Sequence, residues 1–246
     1  MAMGAVEAYK KAWALYRENL GAYIVGAAVL MVLAFAVALP VAVIHVLLLL
    51  SASSAGNPSL VPLVLVADFA LILCAVLVSG VFRGAYVGVC YDVVQGEKVD
   101  WRRLLHWAKV RWQTFAGIIL AQVVVVLLVM LPFIAVGLVA GMALSMPLLV
   151  LPFVLLGIPF VVLASGAMQL AIPKAVAEFA GAKDSLSGAF SLVRANLAQF
   201  VLLMAIGFVL SILAIIPLVA QLVLMPLTDT AFVLFYLSDK KPKKKR

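Results

Sequence analysis

The chain has 246 residues, 67% of them hydrophobic and only 11% charged, with a formal net charge of +8. A soluble domain carries roughly 45–50% apolar and about 25% charged residues, so a water-soluble fold is excluded: it has no way to hide this much apolar surface. The basic excess does not point to nucleic acid, because the cations cluster beside the apolar runs and are explained by membrane orientation.

Residues 5–20 form an amphipathic pattern in which Glu7, Lys10, Lys11, Arg17 and Glu18 make one stripe and Tyr9, Trp13 and Tyr16 supply apolar and aromatic surface. That suits a helix lying among lipid headgroups. Residues 20–82 then contain only His45 and Asp68 as polar ionisable groups, and the run is long enough for two crossings of roughly 20 residues each. The spacing predicts a helical hairpin with its outer turn at 51–59.

The second crossing carries most of the informative residues. Asp68 lies some nine positions in from its outer end and has no evident basic partner, since the lysines and arginines belong to the other side. It is expected to be protonated, to face an outward-open cavity or to pair with a hydroxyl. Cys74 and Cys90 lie about 24 Å apart along this helix, too far to bridge, and read as inert core thiols. Gly80, Gly84 and Gly88 give a small-residue face for close approach of another helix. Arg83 occupies the inner part of the same crossing.

Residues 100–113 repeat the interfacial pattern, with Trp101, Leu104, Leu105, Ala108 and Trp112 opposing Arg102, Arg103, His106 and Lys109. Residues 114–173 hold no Asp, Glu, Lys or Arg, which predicts a second hairpin turning at 141–147. Runs such as Val123-Val124-Val125-Val126-Leu127-Leu128 show none of the alternation of a transmembrane barrel. A third interfacial segment at 188–201 leads into 197–238, where Asp229 is the one acidic or basic residue. A turn near 217–221 makes this a third hairpin and keeps the basic tail on the same side as the other cations. Pro40, Pro132, Pro152, Pro159, Pro217 and Pro226 are candidate kinks.

All 18 lysines and arginines flank or lie between the hairpins on one side, and the connections at 51–59 and 141–147 carry none. Both termini are therefore expected in the cytoplasm, with the protein multi-pass in the cell membrane. Lys240, Lys241, Lys243, Lys244, Lys245 and Arg246 read as a juxtamembrane polybasic tail that contacts anionic lipid headgroups.

The three hairpins also look like copies of one unit. Ala12, Trp13, Leu15, Arg17, Asn19, Leu20 and Tyr23 align with Ala189, Phe190, Leu192, Arg194, Asn196, Leu197 and Phe200, and Trp107-Ala108 with Arg111-x-Gln113 gives a weaker third copy. Ser79-Gly80-Val81-Phe82-Arg83 aligns with Ser165-Gly166-Ala167-Met168-Gln169, after which Asp92 meets Glu178, and Tyr236 meets Tyr91. The expected architecture is one all-α transmembrane domain over 1–246. Its repeats span 5–98, 99–184 and 185–238, the tail 239–246, and a pseudo-threefold axis lies along the membrane normal.

The segment Tyr91-Asp92-Val93-Val94-Gln95-Gly96-Glu97-Lys98-Val99-Asp100, the stretch Ala189-Phe190-Ser191-Leu192-Val193-Arg194-Ala195-Asn196 and the ending at 226–236 resemble uncharacterised prokaryotic six-helix membrane proteins. Those are similar to the membrane domain attached to some glycerophosphoryl diester phosphodiesterases. The resemblance implies a fold and a prokaryotic cell membrane, not an activity.

His45 and His106 lie on different segments, and no nucleophile, zinc or phosphate-loop motif is present, so the sequence points to no enzyme, metal or cofactor. The candidate site is an intramembrane polar cluster of Arg83, Asp229, Gln169 and Asp68. Repeat alignment sets Arg83, Gln169 and Asp229 level, which predicts an Arg83–Asp229 pair. Such a cluster fixes helix association in a non-enzymatic scaffold that binds lipid or partner proteins, or it lines the cavity of a transporter or lipid-handling protein. A homo- or hetero-oligomer is compatible with either.

Overall fold

The computed structural model describes residues 3–54, 60–146, 148, 150–213 and 220–239. Within them the secondary structure is helical: α1 (Ala5–Glu18), α2 (Leu20–Ser54), α3 (Leu60–Val94), α4 (Arg102–Ala143), α5 (Val150–Gln169), α6 (Ala171–Glu178), α7 (Ala182–Ala195), α8 (Leu197–Leu213) and α9 (Met225–Asp239), the last entered through a π-helical turn at Ala220–Leu224. Five stretches are long and apolar enough to cross a membrane: Leu20–Leu48, Pro62–Val94, Arg102–Ala143, Val150–Glu178 and Leu222–Asp239. A sixth is added if α7 and the first part of α8, which meet at a 102° bend, count as one span. The chain is thus a multi-pass helical membrane protein. The expected turns at 51–59, 141–147 and 217–221 fall partly outside the described residues, and the tail at 240–246 wholly so.

Local chemistry explains where the surface helices end. Asn19 and Asn196 occupy the C-caps of α1 and α7, and each side-chain amide turns back to donate to the carbonyl four residues earlier, Leu15 at 3.1 Å and Leu192 at 3.2 Å. A short amide that competes with the helical backbone in this way stops one helix and lets the next start in a new direction. At the corresponding position in α4 stands Gln113, whose longer side chain favours helix, and α4 runs unbroken for 42 residues. A second, separate surface helix over 100–113 is therefore corrected: that segment is the first three turns of α4. Pro40, Pro132 and Pro159 likewise lie inside continuous helices, not at breaks.

The core is concentrated at one end. α2 buries Tyr23, Ala27 and Leu30 in its first third, and no described residue beyond Leu30 is buried; α3 buries none before Gly80. The inner ends of α2 and α3 pack with α1, the start of α4, α6 and α9 around Tyr86, Phe115, Ile118, Leu170 and Phe235. Beyond that plug the α2–α3 and α4–α5 hairpins extend as arms with apolar faces turned outward, including Phe35, Leu39, Leu47, Leu63 and Phe69. Lipid tails are as apolar as these side chains, so the arms lose nothing by remaining unpacked, and close packing must hold the inner half together.

The glycine stripe provides that packing. A Cβ built at Gly80 would meet Ile119 at 2.5 Å, one at Gly84 the ring of Phe115 at 2.6 Å, and one at Gly88 the indole of Trp107 at 2.5 Å. Three bare turns of α3 thus receive three large side chains of α4. At the opposite face α1 lies along α9 more extensively than on any other helix, with Ala5, Ala8 and Ala12 fully buried. Pro226 has no N–H to offer the Leu222 carbonyl four residues back, and the Tyr16 hydroxyl donates to that carbonyl at 3.1 Å. The π turn at the start of α9 is thereby tied to α1.

Candidate functional site

The inner plug is not purely apolar. Asp229 on α9 is 5% exposed, and its Oδ1 lies 3.7 Å from Nη2 of Arg83 on α3. The expected pair is present, but in a loose form beyond hydrogen-bonding distance for this contact. Its other oxygen, Oδ2, has no hydrogen-bond partner among the described residues.

Around this carboxylate stands a set of hydroxyl groups. The Thr230 hydroxyl donates to the Tyr23 phenol oxygen at 2.9 Å, Tyr86 donates to the Tyr23 carbonyl at 3.3 Å, and Tyr9 donates to the Leu203 carbonyl at 3.4 Å. Burial pushes the Tyr9 phenol up to about 12, so it keeps its proton across the physiological range. Sequence reasoning took Tyr9 and Tyr16 as interfacial surface, yet both are buried, whereas Trp13 is exposed. A signal was there: Tyr9, Tyr16 and Tyr23 recur every seventh residue, and past the break at Asn19 the last packs against Tyr16. The rings of Tyr16 and Tyr23 lie 5.5 Å apart.

Arg83 is the link between this network and open space, with 44% of its side chain exposed. It borders two clefts, as does Ser79. One, of about 400 Å³, lies between the arms of α2 and α3 above Met225 and is walled by Leu30, Leu33, Ala34, Phe35, Ala38 and Phe82. The other, of about 550 Å³, lies toward α4 and is walled by Ile72, Val76, Ile119 and Val123. Both volumes are within the range of small-molecule sites, about 300–1,000 Å³.

The remaining candidates are placed differently. Gln169 lines a separate cavity of about 180 Å³ with Gly207, Thr228 and Phe232, so it adjoins the neighbour of Asp229 but not Arg83's clefts. Asp68 does not join the cluster: fifteen residues from Arg83 on one helix, it is about 22 Å away along the axis. It has a partner that the count of lysines and arginines overlooked, His45 of α2, whose Nδ1 is 2.6 Å from Oδ1. Histidine carries a nitrogen ligand for a carboxyl group in either protonation state, and it is the one acidic or basic side chain on the facing helix. Cys74 is exposed and Cys90 buried, and both are free thiols.

At the inner ends of the helices a second polar layer fixes the corners. Trp107 Nε1 donates to Oδ2 of the buried Asp92 at 2.9 Å, with Arg103 3.8 Å from the same oxygen and bonded to Glu97. Arg111 donates to the carbonyls of Ala175, at 2.6 Å, and Ala180, and its guanidinium stands 5.2 Å over the ring of Phe179, whose φ of +53° turns the chain from α6 to α7. Tyr236 donates to Glu178. These bonds use their groups in holding corners together; other charged clefts at this end, such as that of Lys98, Asp100, Arg102, Arg103 and His106, are lined mainly by polar groups, whereas the Arg83 clefts set one charge among largely apolar walls. Searches against family models, curated proteins and solved structures find no match to this chain.

Proposed function

We propose that the protein is a non-enzymatic membrane module that holds a lipid-like amphiphile, with six crossings and both termini in the cytoplasm. The observation that carries the binding role is Arg83: a half-exposed guanidinium at the floor of two apolar clefts, above a plug packed shut beneath it. The same plug, filled by Tyr86, Phe115 and Phe235, favours holding over transport, because a transport path through the bundle needs a polar passage on both sides of the site.

Six crossings are supported by the matched caps at Asn19 and Asn196, which make α8 the counterpart of α2. A threefold arrangement is supported by packing order: α7 lies on α6, the start of α4 on α3, and α1 on α9, so each surface segment meets the inward crossing of the preceding unit. The resemblance to six-helix prokaryotic membrane proteins fits on the side of fold. The basic residues at the inner corners, with the tail, suit contact with anionic headgroups. For the topology, single cysteines replacing Ser145 and Lys98 in a chain lacking Cys74 and Cys90 are expected to react with an impermeant maleimide only at Ser145→Cys in intact cells; labelling at Lys98→Cys would reverse the orientation.

For the binding role, Ala34→Trp fills the α2–α3 cleft at a position facing lipid and is expected to leave thermal stability unchanged while at least halving the amphiphile that copurifies, as read by mass spectrometry. Equal retention by the two proteins would place the bound molecule elsewhere and remove the cleft from the account.

A further inference from the structure

Resting on the proposal that the cleft binds an amphiphile, we infer its chemical class: a single-chain amphiphile with one anionic head, a long-chain carboxylate, which binds the donors of Arg83 that Asp229 leaves open. Charge complementarity is the first argument. Among the described residues Arg83 is the one charged side chain lining either cleft, and apart from Ser79 in both and Gln122 in the second the walls are apolar, which matches a head of one negative charge followed by a hydrocarbon tail.

The second argument is the state of the Arg83–Asp229 pair. The contact at 3.7 Å is longer than the roughly 2.7–2.9 Å of a charge-assisted hydrogen bond, so the guanidinium's donors are not saturated by the carboxylate. Asp229 is held in the plug by α9, whereas Arg83 has the freedom of a long side chain that opens onto both clefts. A planar carboxylate entering from the cleft offers the fork-to-fork geometry that Asp229 does not reach. Asp229 is then the internal placeholder that keeps Arg83 neutralised in the empty site.

Depth and volume select the single chain. Arg83 lies eleven residues from the C-terminal end of α3, about 16 Å along the helix, well inside the apolar span Pro62–Val94. A bulky phospholipid headgroup does not suit that depth, and neither cleft, of about 400 or about 550 Å³, has room for two chains; one chain with a compact head fits either.

The test uses the full-length protein in phosphatidylcholine nanodiscs at pH 9, where a fatty acid is ionised, with the fluorescent probe cis-parinaric acid and its methyl ester, read by energy transfer from the protein's tryptophans after subtraction of empty discs. The acid is expected to bind at least about tenfold more tightly than the ester to the unaltered protein, the loss expected when a charge-assisted bond is removed. Arg83→Gln is expected to equalise the two, and Asp229→Asn, which removes the competitor, to tighten the acid about fivefold. Acid and ester binding equally to the unaltered protein would overturn the anionic class while leaving the amphiphile site in place, and this comparison needs no variant to fold. Displacement of the acid by phosphatidylglycerol at equal mole fraction would overturn the single-chain assignment. Binding of neither probe would overturn this inference together with the reading on which it rests.

Discussion

Replacing Arg83 with alanine destabilises the protein by about 3–5 kcal/mol in detergent, the cost of leaving a buried carboxylate without its counter-charge. The asymmetry of the pair makes the direction of each variant distinct. Asp229 is 5% exposed and fixed in the plug, so once Arg83 is removed its charge stays buried unless the carboxyl takes up a proton. Arg83 is 44% exposed and can swing toward either cleft, so Asp229→Ala costs less than Arg83→Ala. The double variant is less damaged than Arg83→Ala alone, because no unpaired charge is left behind. Thermal unfolding followed by circular dichroism, with size-exclusion profiles for each variant, measures all three. Equal melting temperatures for Arg83→Ala and the unaltered protein would mean that Asp229 is already neutral or solvated, and the placeholder role would fall.

The second large effect is at Gly88. An added Cβ would stand 2.5 Å from Trp107 Cγ, and that indole cannot retreat without giving up its 2.9 Å bond to the buried Asp92. Overpacking costs about 1–3 kcal/mol and a lost bond to a charged group about 1.5–3 kcal/mol, so Gly88→Ala is expected to lose about 3–5 kcal/mol. Gly21→Ala serves as the control: nothing lies within 4 Å of its Cβ position, and alanine favours a helix interior, so that variant is expected to be neutral or slightly stabilised. Equal stability of Gly88→Ala and Gly21→Ala would show that α3 and α4 do not meet on the glycine face.

The class of fold was legible because hydropathy and helix length are local properties: the apolar runs at 20–82, 114–173 and 197–238 overlap the stretches long and apolar enough to cross. The Arg83–Asp229 pair was legible through alignment of the segments read as repeats, although the same alignment set Gln169 level with them and Gln169 lines a separate cavity. Asp68 was misplaced because its partner, His45, is a weak base that a count of lysines and arginines does not register, and because two residues on antiparallel helices meet by register, which sequence does not state. The unbroken α4 escaped for a similar reason. Trp107 and Arg111 matched the surface pattern, but Gln113 in place of asparagine decided whether the helix stops. The tyrosine network was hidden by an ordinary prior, that aromatic residues near a membrane boundary lie at the surface.

The account depends most on the cleft being a site that holds a molecule and not merely a gap between two arms bathed in bulk lipid. Mass spectrometry of the unaltered protein, washed through detergent exchange and compared with Ala34→Trp, tests that directly. The prediction is a single-chain anionic amphiphile retained at about one per chain and at least halved on filling the cleft. A protein that washes free of every amphiphile while keeping its melting temperature, or that retains the same lipids with the cleft filled, would contradict it.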